Sequence, residues 1–150
     1  MYIVVIGLGE VGRHLLSVLD HEGHDVVAVD ASTEAVTYAE EHYDVACIVG
    51  YGASQDVLDR AGVSRADIVV AVSNHDEVNL IAALAAKQLG AKQAVARAQG
   101  DEWAAVAWVA VDQQGPASVG GREGDEFVIT GAGVVLTEQQ AVGLRCGGSG

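Results

Sequence analysis

Short apolar runs alternate with amphipathic stretches along the first hundred residues. Five runs have the length and composition of buried strands: Tyr2–Ile6, Val26–Val29, Val45–Val49, Ile68–Val72 and Gln93–Arg97. The stretches between them have helical spacing or caps: Val11–Glu22, Ser32 to about Glu41, Ser54 to near Gly62, and Glu77–Leu89. Because the connections are long enough for right-handed crossovers, the strands are predicted to be parallel and covered on both faces.

This alternation is typical of an α/β chain with a Rossmann-like doubly wound parallel sheet. For such a sheet the expected strand order is 3-2-1-4-5. The regular pattern supports one domain over residues 1–112. Residues 113–150 form a poorly defined extension, in which the glycines and the single proline interrupt the pattern.

The pattern weakens after Arg97. The predicted elements there are a helix over Asp101–Val111, a loop over Gln113–Asp125, a sixth edge strand at Phe127–Ile129 or Val134–Leu136, and a frayed tail over Arg145–Gly150. The helix would carry Trp103 and Trp108.

Composition limits where the protein can act. Half of the residues are hydrophobic, yet the unbroken apolar runs are only a few residues long, far from the roughly 20 that a membrane span needs. The first residues show no basic region before an apolar stretch, and Cys47 and Cys146 lack metal-ligand spacing. We therefore predict a cytoplasmic domain without direct membrane insertion.

The charge balance is strongly acidic. Twenty-one acidic residues stand against eight basic ones, which gives a formal net charge of −13. Such a surface repels the phosphates of nucleic acids, so nucleic acid is not an expected partner.

A glycine motif follows the first predicted strand and opens the first predicted helix. It reads Gly7-Leu8-Gly9-Glu10-Val11-Gly12, a G-x-G-x-x-G pattern. Gly7 permits a tight turn, Gly9 lets a pyrophosphate approach the backbone, and Gly12 allows close helix packing. The free amides and the positive dipole end of the helix then favour phosphate binding.

An acidic residue at the end of the second strand completes this pattern. Asp30 stands 18 residues after Gly12, where a carboxylate can accept hydrogen bonds from both ribose hydroxyls and repel a 2′-phosphate. The sequence thus predicts a dinucleotide or adenine-nucleotide site that disfavours NADP. Glu10 adds a negative charge beside the phosphate site, which makes a third phosphate harder to accommodate.

Residues for catalysis are scarce. Ser73-Asn74-His75-Asp76 follows the fourth strand, and His75 could transfer a proton, but helix capping by Ser73, Asn74 or Asp76 is favoured. The other histidines, at positions 14, 21, 24 and 42, have no metal-ligand spacing. We therefore predict a binding site without catalytic chemistry.

The motifs together resemble one family, the N-terminal domain of Trk-type potassium-uptake regulators (TrkA-N, also called RCK or KTN). The matching pieces are the glycine motif and Gly23–Asp30, Val49–Ser54, Ala61–Asp67, Ile68–Val72, Asp76–Leu80 and Ala96–Arg97. The A-G-V-x-x-A-D run at residues 61–67, followed by D-E-x-N at 76–79, is more specific than the glycines, which dehydrogenases share.

The resemblance implies a nucleotide cleft and assigns its residues. It places the phosphates on the glycine motif, which comprises Gly7, Leu8, Gly9, Glu10, Val11 and Gly12. It places the adenosine ribose at Asp30 beside Ala31, and the adenine at Tyr51, Gly52 and Ala53. The second half of the nucleotide would lie at Ser73 beside Asn74, and Arg97 would point toward the phosphates or a dimer partner. The implied ligand is NAD(H), with ATP, ADP or AMP as alternatives. Family members often carry Arg at the position of Glu10, and this departure weakens the ATP alternative.

The resemblance also implies a regulatory role. Such domains bind at the inner face of the cell membrane to a potassium channel or transporter subunit made by a separate chain, and they form homodimers or larger rings. Two alternatives stay open: the cofactor-binding domain of an NAD-dependent oxidoreductase, and a scaffold that keeps the fold but binds little. Only Glu10 supports the scaffold.

Overall fold

The computed structural model describes residues 1–99, 126–130 and 133–136. In this part of the chain, helices and strands alternate from the first strand to the fifth, and two further strands follow. Their bounds are β1 Tyr2–Ile6, α1 Glu10–Glu22, β2 Asp25–Asp30, α2 Thr33–His42, β3 Ala46–Val49, α3 Gln55–Ala61, β4 Ile68–Ala71, α4 Asp76–Leu89, β5 Gln93–Gln99, β6 Glu126–Thr130 and β7 Gly133–Leu136.

All seven strands form one sheet, in the order β3-β2-β1-β4-β5-β6-β7. The first five strands are parallel to one another, so the predicted Rossmann-like order 3-2-1-4-5 is confirmed. The order reverses between β1 and β4, which pair through Ile3 with Ile68 and Ile6 with Ala71. A crevice at the carboxyl ends of the strands is expected at this point.

Two apolar layers hold the helices against the sheet. On β1, Val4 and Ile6 face α3 and α4, whereas Ile3 and Val5 face α1 and α2. All four side chains are at most 4% exposed. A strand buried on both faces does not need polar positions, which explains the continuous apolar run in the sequence.

The end of the sheet differs from the single edge strand that the sequence predicts. Both candidate segments form strands: β6 pairs antiparallel with β5, and β7 pairs antiparallel with β6. Two residues separate β6 from β7, a spacing at which neighbouring strands pair locally. The predicted helix Asp101–Val111, the loop Gln113–Asp125, the tail Arg145–Gly150 and the boundary at residue 112 lie outside the described residues.

Two of the predicted helix caps occupy the cap position, and the third prediction is wrong. Ser32 Oγ accepts a hydrogen bond from the Ala35 amide at 3.2 Å, as expected for the start of α2. Ser54 occupies the cap position of α3 as predicted, although its side chain makes no cap bond. His75, and not one of its neighbours Ser73, Asn74 or Asp76, occupies the cap position of α4, also without a side-chain bond.

A polar cluster joins the amino ends of β1, β4 and β5. The Asp67 carboxylate accepts hydrogen bonds from the Tyr2 amide at 2.8 Å and from Lys92 Nζ at 2.9 Å. Lys87 Nζ donates to the carbonyl oxygens of Ala91 and Lys92 nearby. The two bonds to the Asp67 carboxylate, above all the one from the Tyr2 amide, lower the pKa of Asp67 below its usual 3.8.

This cluster predicts a pH-dependent contribution to stability. Because the pKa of Asp67 is lower in the folded protein than in the unfolded chain, its contribution is complete above about pH 3.8 and disappears as the pH falls through the lowered pKa. Asp67→Asn is therefore expected to lower the thermal midpoint at pH 7, and this difference from the wild type should shrink below pH 3.8. Thermal unfolding of both proteins from pH 7 to pH 3 measures it. A constant difference over that range would contradict the prediction.

Within the described residues, no helix combines the length and apolar character that crossing a bilayer requires.

Candidate functional site

A cleft opens at the carboxyl ends of β1, β2 and β4, where the strand order reverses. Its cavity has a volume of about 380 Å³. The residues that line it are Ile6, Gly7, Leu8, Gly9, Val29, Asp30, Ala31, Ser32, Ala35, Tyr51, Gly52, Ser73, Asn74, His75 and Val78. Most of the residues predicted to bind a nucleotide are thus brought together, although they come from four different loops.

The glycine loop turns sharply between β1 and α1. Gly7 has φ +98°, and its amide donates to the Val29 carbonyl oxygen at 2.8 Å. A Cβ at Gly7 would lie 2.5 Å from the Ser73 backbone nitrogen, so the loop packs directly on the chain that leaves β4. Only glycine meets both requirements, because the conformation is left-handed and the space is filled.

The other two glycines of the motif have different surroundings. A Cβ at Gly12 would overlap the carbonyl oxygen of Gly7, so the helix packs against its own loop. The same Cβ would lie 3.8 Å from the side chain of Val72, which follows β4. A Cβ at Gly9 would meet nothing closer than the Asn74 carboxamide, at 3.7 Å. The fold itself therefore requires Gly12 but leaves space at Gly9, which lines the cleft.

The start of α1 offers unpaired amides to the cleft. Gly9 occupies the cap position, and no side chain accepts a hydrogen bond from the first helical turn there. The first amides of a helix have no intrahelical acceptor, and they carry the positive end of the helix dipole. An anionic group above Gly9 would therefore meet several donors.

Asp30 connects the second strand to the glycine loop. Its Oδ2 accepts a hydrogen bond from the Leu8 amide at 2.7 Å, and its Oδ1 accepts one from the Ser32 amide at 2.8 Å. An ionised carboxylate has about four acceptor positions, so each oxygen keeps capacity for a hydroxyl group of a ligand. The sequence predicted this acceptor but not its second role, which is to hold the loop in place.

The turn after β3 forms another wall of the cleft. Gly52 packs on Ile6, because a Cβ at this glycine would overlap the Ile6 side chain. Tyr51 lines the cavity and is 54% exposed, which leaves a large aromatic surface available at its rim. Ala53, which the sequence also placed in the site, does not line the cavity.

The segment that leaves β4 is organised by a residue to which the sequence assigned no role in the site. Asn79 of α4 is fully buried, and its side chain holds the backbone and the hydroxyl of Ser73. The sequence signal was an asparagine beside Leu80, on a helical face whose other buried residues are apolar. Ser73 Oγ donates to Asn79 Oδ1 and accepts from the His75 amide at 3.3 Å, but Ser73 does not occupy the cap position of α4.

Several predicted residues lie outside the lining of the cavity. They are Glu10, Val11, Gly12 and Ala53, together with Arg97, whose carbonyl oxygen accepts a hydrogen bond from Asn79. Conversely, the sequence assigned no role in the site to the apolar floor, which consists of Ile6, Val29, Ala35 and Val78. Two polar residues also line the cavity, namely Ser32, which was predicted as a helix cap, and His75, which was considered for proton transfer. Floor residues of this kind follow the ordinary core pattern, and nothing in that pattern distinguishes them from other buried positions.

Arg13 packs sideways against the next helix. Its guanidinium carbon lies 4.3 Å from the centre of the Tyr38 ring, and this ring stacks on His42 at 3.9 Å. Cation–π contacts of this kind contribute about 0.5–1 kcal/mol at exposed sites. They join α1 to α2 and so help to orient the amino end of α1.

The cysteine at β3 is not a nucleophile at neutral pH. Cys47 is half-buried, and burial together with the charge of Glu40 raises its pKa to about 11. The thiol therefore stays protonated. In residues 1–99 and the two described segments beyond them, no group of histidine, cysteine and carboxylate side chains has the arrangement of a metal site.

Comparison with known proteins gives a consistent family. The family model described as the TrkA-N domain matches residues 3–108. A Trk system potassium uptake protein TrkA homolog of Archaeoglobus fulgidus is 43% identical over 103 residues, which are 69% of this chain and 23% of the relative. The TrkA protein of Azorhizobium caulinodans is 44% identical over 82 residues, 55% of this chain and 18% of the relative. The chain thus matches about a fifth of the length of these relatives.

Solved structures show the same fold at lower identity. The NAD(P)-binding domain of an exopolyphosphatase-related protein from Archaeoglobus fulgidus aligns with a TM-score of 0.64 at 21% identity, covering 72% of this chain and 80% of that domain. The TrkA-N domain of the Escherichia coli inner membrane protein ybaL also aligns with a TM-score of 0.64, at 20% identity, with coverages of 69% and 77%. The GsuK channel, in a structure described as bound to NAD, aligns with the same score at 19% identity over 73% of this chain and 20% of the channel.

Proposed function

This chain belongs to the TrkA-N domain family, and on that premise we propose that it is a nucleotide-binding regulatory domain of a potassium channel or transporter. The observation that carries the proposal is the hydrogen bond between Asp30 Oδ2 and the Leu8 amide. It joins a ribose acceptor to a phosphate loop in one cleft, at the crevice where nucleotides bind in doubly wound sheets.

The proposed ligand is NAD(H), with ADP or AMP as the alternatives that fit the same adenosine side. Asp30 would accept from the ribose hydroxyls, the amides at Gly9 would hold the phosphates, and Tyr51 would border the adenine. Glu10 does not line the cavity, but it directly follows Gly9 at the start of α1, and a negative charge at this position would oppose a third phosphate and disfavour ATP. The GsuK structure bound to NAD, and a Kef domain described in an AMP-bound form, support both ligand classes for this fold.

The proposed partner is a membrane-embedded potassium channel or transporter subunit on a separate chain. The names of the TrkA relatives support this assignment, and the GsuK channel contains the same fold. The domain would act as a homodimer or larger ring at the cytoplasmic face of the membrane. Nucleotide binding can shift such an assembly when its affinity differs between two arrangements. In this role the cleft senses a nucleotide and does not turn it over.

Calorimetric titration of the purified chain with NADH, NAD, NADPH, ATP, ADP and AMP tests the proposal. We expect NADH or NAD to bind most tightly, NADPH and ATP to bind weakly, and NADH absorbance to stay constant during incubation. Absence of binding to all six nucleotides would overturn the proposal, and NADH oxidation would favour an oxidoreductase.

Asp30→Ala is expected to weaken NADH binding by about 10- to 100-fold, because hydrogen bonds to a charged group contribute about 1.5–3 kcal/mol. Asp20→Ala is the matched control, since Asp20 Oδ1 also accepts from a backbone amide, that of Asp44, but at the amino edge of the sheet. We expect the control to bind NADH like the wild type. An unchanged affinity of Asp30→Ala would place the ribose elsewhere.

A further inference from the structure

A single buried amide organises the β4 side of the cleft. Asn79 is 0% exposed, and among the described residues it is the one fully buried polar side chain. Its Oδ1 accepts from the Ser73 amide at 2.8 Å and from Ser73 Oγ at 2.7 Å. Its Nδ2 donates to the carbonyl oxygens of Ser73 at 2.9 Å and of Arg97 at 2.8 Å. All the donor and acceptor positions that an amide normally uses are occupied.

Such an amide is unusual on this helix. Its neighbours on the buried face of α4 are apolar, and they include Leu80, Ala82 and Ala83. An apolar residue at position 79 would bury the same area without the cost of removing a polar group from water. The amide therefore stabilises the segment that leaves β4, because it supplies hydrogen-bond partners for backbone groups that have no neighbouring strand.

That segment forms the wall of the cleft opposite Asp30. Ser73, Asn74 and His75 all line the cavity, and the Ser73 backbone is in contact with Gly7 of the phosphate loop. The Arg97 carbonyl extends the same set of bonds to β5. The adenosine side is held differently, because Asp30 is positioned by Leu8 and Ser32.

We propose that Asn79 is a positioning residue that makes the cleft selective for dinucleotides over mononucleotides. It fixes the wall at Ser73–His75, against which the second half of a dinucleotide would lie, while it leaves the adenosine side unchanged. This inference rests on the proposed nucleotide-binding function and adds a source of selectivity to it. It also gives the asparagine of the D-E-x-N segment a role that the phosphate loop and Asp30 do not explain.

The test compares two truncations on the same helix turn. Asn79→Ala removes the amide, whereas Leu80→Ala removes an equally buried side chain that is 2% exposed and contacts the core. Each variant is titrated with NADH and with AMP, well below its own unfolding midpoint. For Asn79→Ala we expect the Kd for NADH to rise about tenfold or more and the Kd for AMP to change less than threefold. For Leu80→Ala we expect the ratio of the two constants to match the wild type.

Other outcomes decide against the inference in different ways. Equal weakening of NADH and AMP in Asn79→Ala, no change in either, or the same selective loss in Leu80→Ala would overturn it and leave the proposed function intact. A wild-type chain that binds AMP but not NADH would also overturn it. Binding of neither nucleotide by the wild type would overturn the proposed function and this inference together.

A milder variant keeps the test decisive if Asn79→Ala does not fold. Ser73→Ala removes the hydroxyl that donates to Asn79 Oδ1 and accepts from the His75 amide at 3.3 Å, but it keeps the two bonds between the Asn79 side chain and the Ser73 backbone. We then expect the Kd for NADH to rise about threefold with the Kd for AMP unchanged. A constant ratio of the two constants in this variant would overturn the inference.

Discussion

Gly12→Ala is expected to lower the free energy of unfolding by about 3 kcal/mol or more, which is the upper range for forcing extra atoms into a packed site. The added Cβ would overlap the carbonyl oxygen of Gly7, which is backbone and cannot rotate away. To make room, α1 would have to move off the loop that precedes it. For a domain of this size the thermal midpoint should fall by about 10 °C, which circular dichroism measures.

Gly23→Ala separates this overlap from a general effect of replacing glycine. Gly23 ends α1 with φ +76°, and a Cβ there would meet no atom within 4 Å. Its expected cost is about 1 kcal/mol, from the left-handed conformation alone. If Gly12→Ala were no more destabilising than Gly23→Ala, the contact with the loop would not be the reason for Gly12.

Gly9→Ala should have the opposite profile: a nearly intact fold and a large loss of binding. The backbone at Gly9 has φ −74° and ψ −158°, which any residue can adopt, and its Cβ would lie 3.7 Å from Asn74. Loss of glycine at a helix cap costs at most about 1 kcal/mol. On the side of the cleft, the methyl group would occupy the position where a pyrophosphate approaches the backbone. We expect the Kd for NADH to rise about 10- to 100-fold.

Thermal unfolding and NADH titration are measured for both Gly12→Ala and Gly9→Ala. Gly9→Ala should unfold within a few degrees of the wild type and bind poorly. Wild-type affinity in Gly9→Ala would mean that the phosphates do not pass over Gly9, and the proposed orientation of the nucleotide would have to be abandoned.

The sequence was sufficient for the parallel part of the fold because the signals there are local and repeated. The strands β1 to β4 are mainly apolar runs, β5 has an apolar centre at Ala94–Ala96, and the crossover rule leaves few orders for such a chain. Gly7 and Asp30 were identified for a similar reason, since their roles depend on positions relative to a strand end. These roles are set by short stretches of sequence.

What the sequence did not reveal depends on contacts between distant residues. Asn79 bonds to Arg97, which is 18 residues away, and a pattern of apolar positions cannot predict that bond. Ser73 has a side chain that often caps helices, but in this fold its hydroxyl donates a hydrogen bond to the Asn79 side chain. The two antiparallel strands at the end of the sheet depend on the open edge of β5, which no local signal in residues 126–136 encodes.

The cluster of Asp67 and Lys92 also determines how the protein can be attached to a surface. The sequence contains two lysines, Lys87 and Lys92, and both side chains lie at the amino end of β5. The cleft lies at the opposite edge of the sheet, where the strands end. Coupling through the lysine amines to a biosensor chip would therefore tether the domain by one edge and leave the cleft facing the solution.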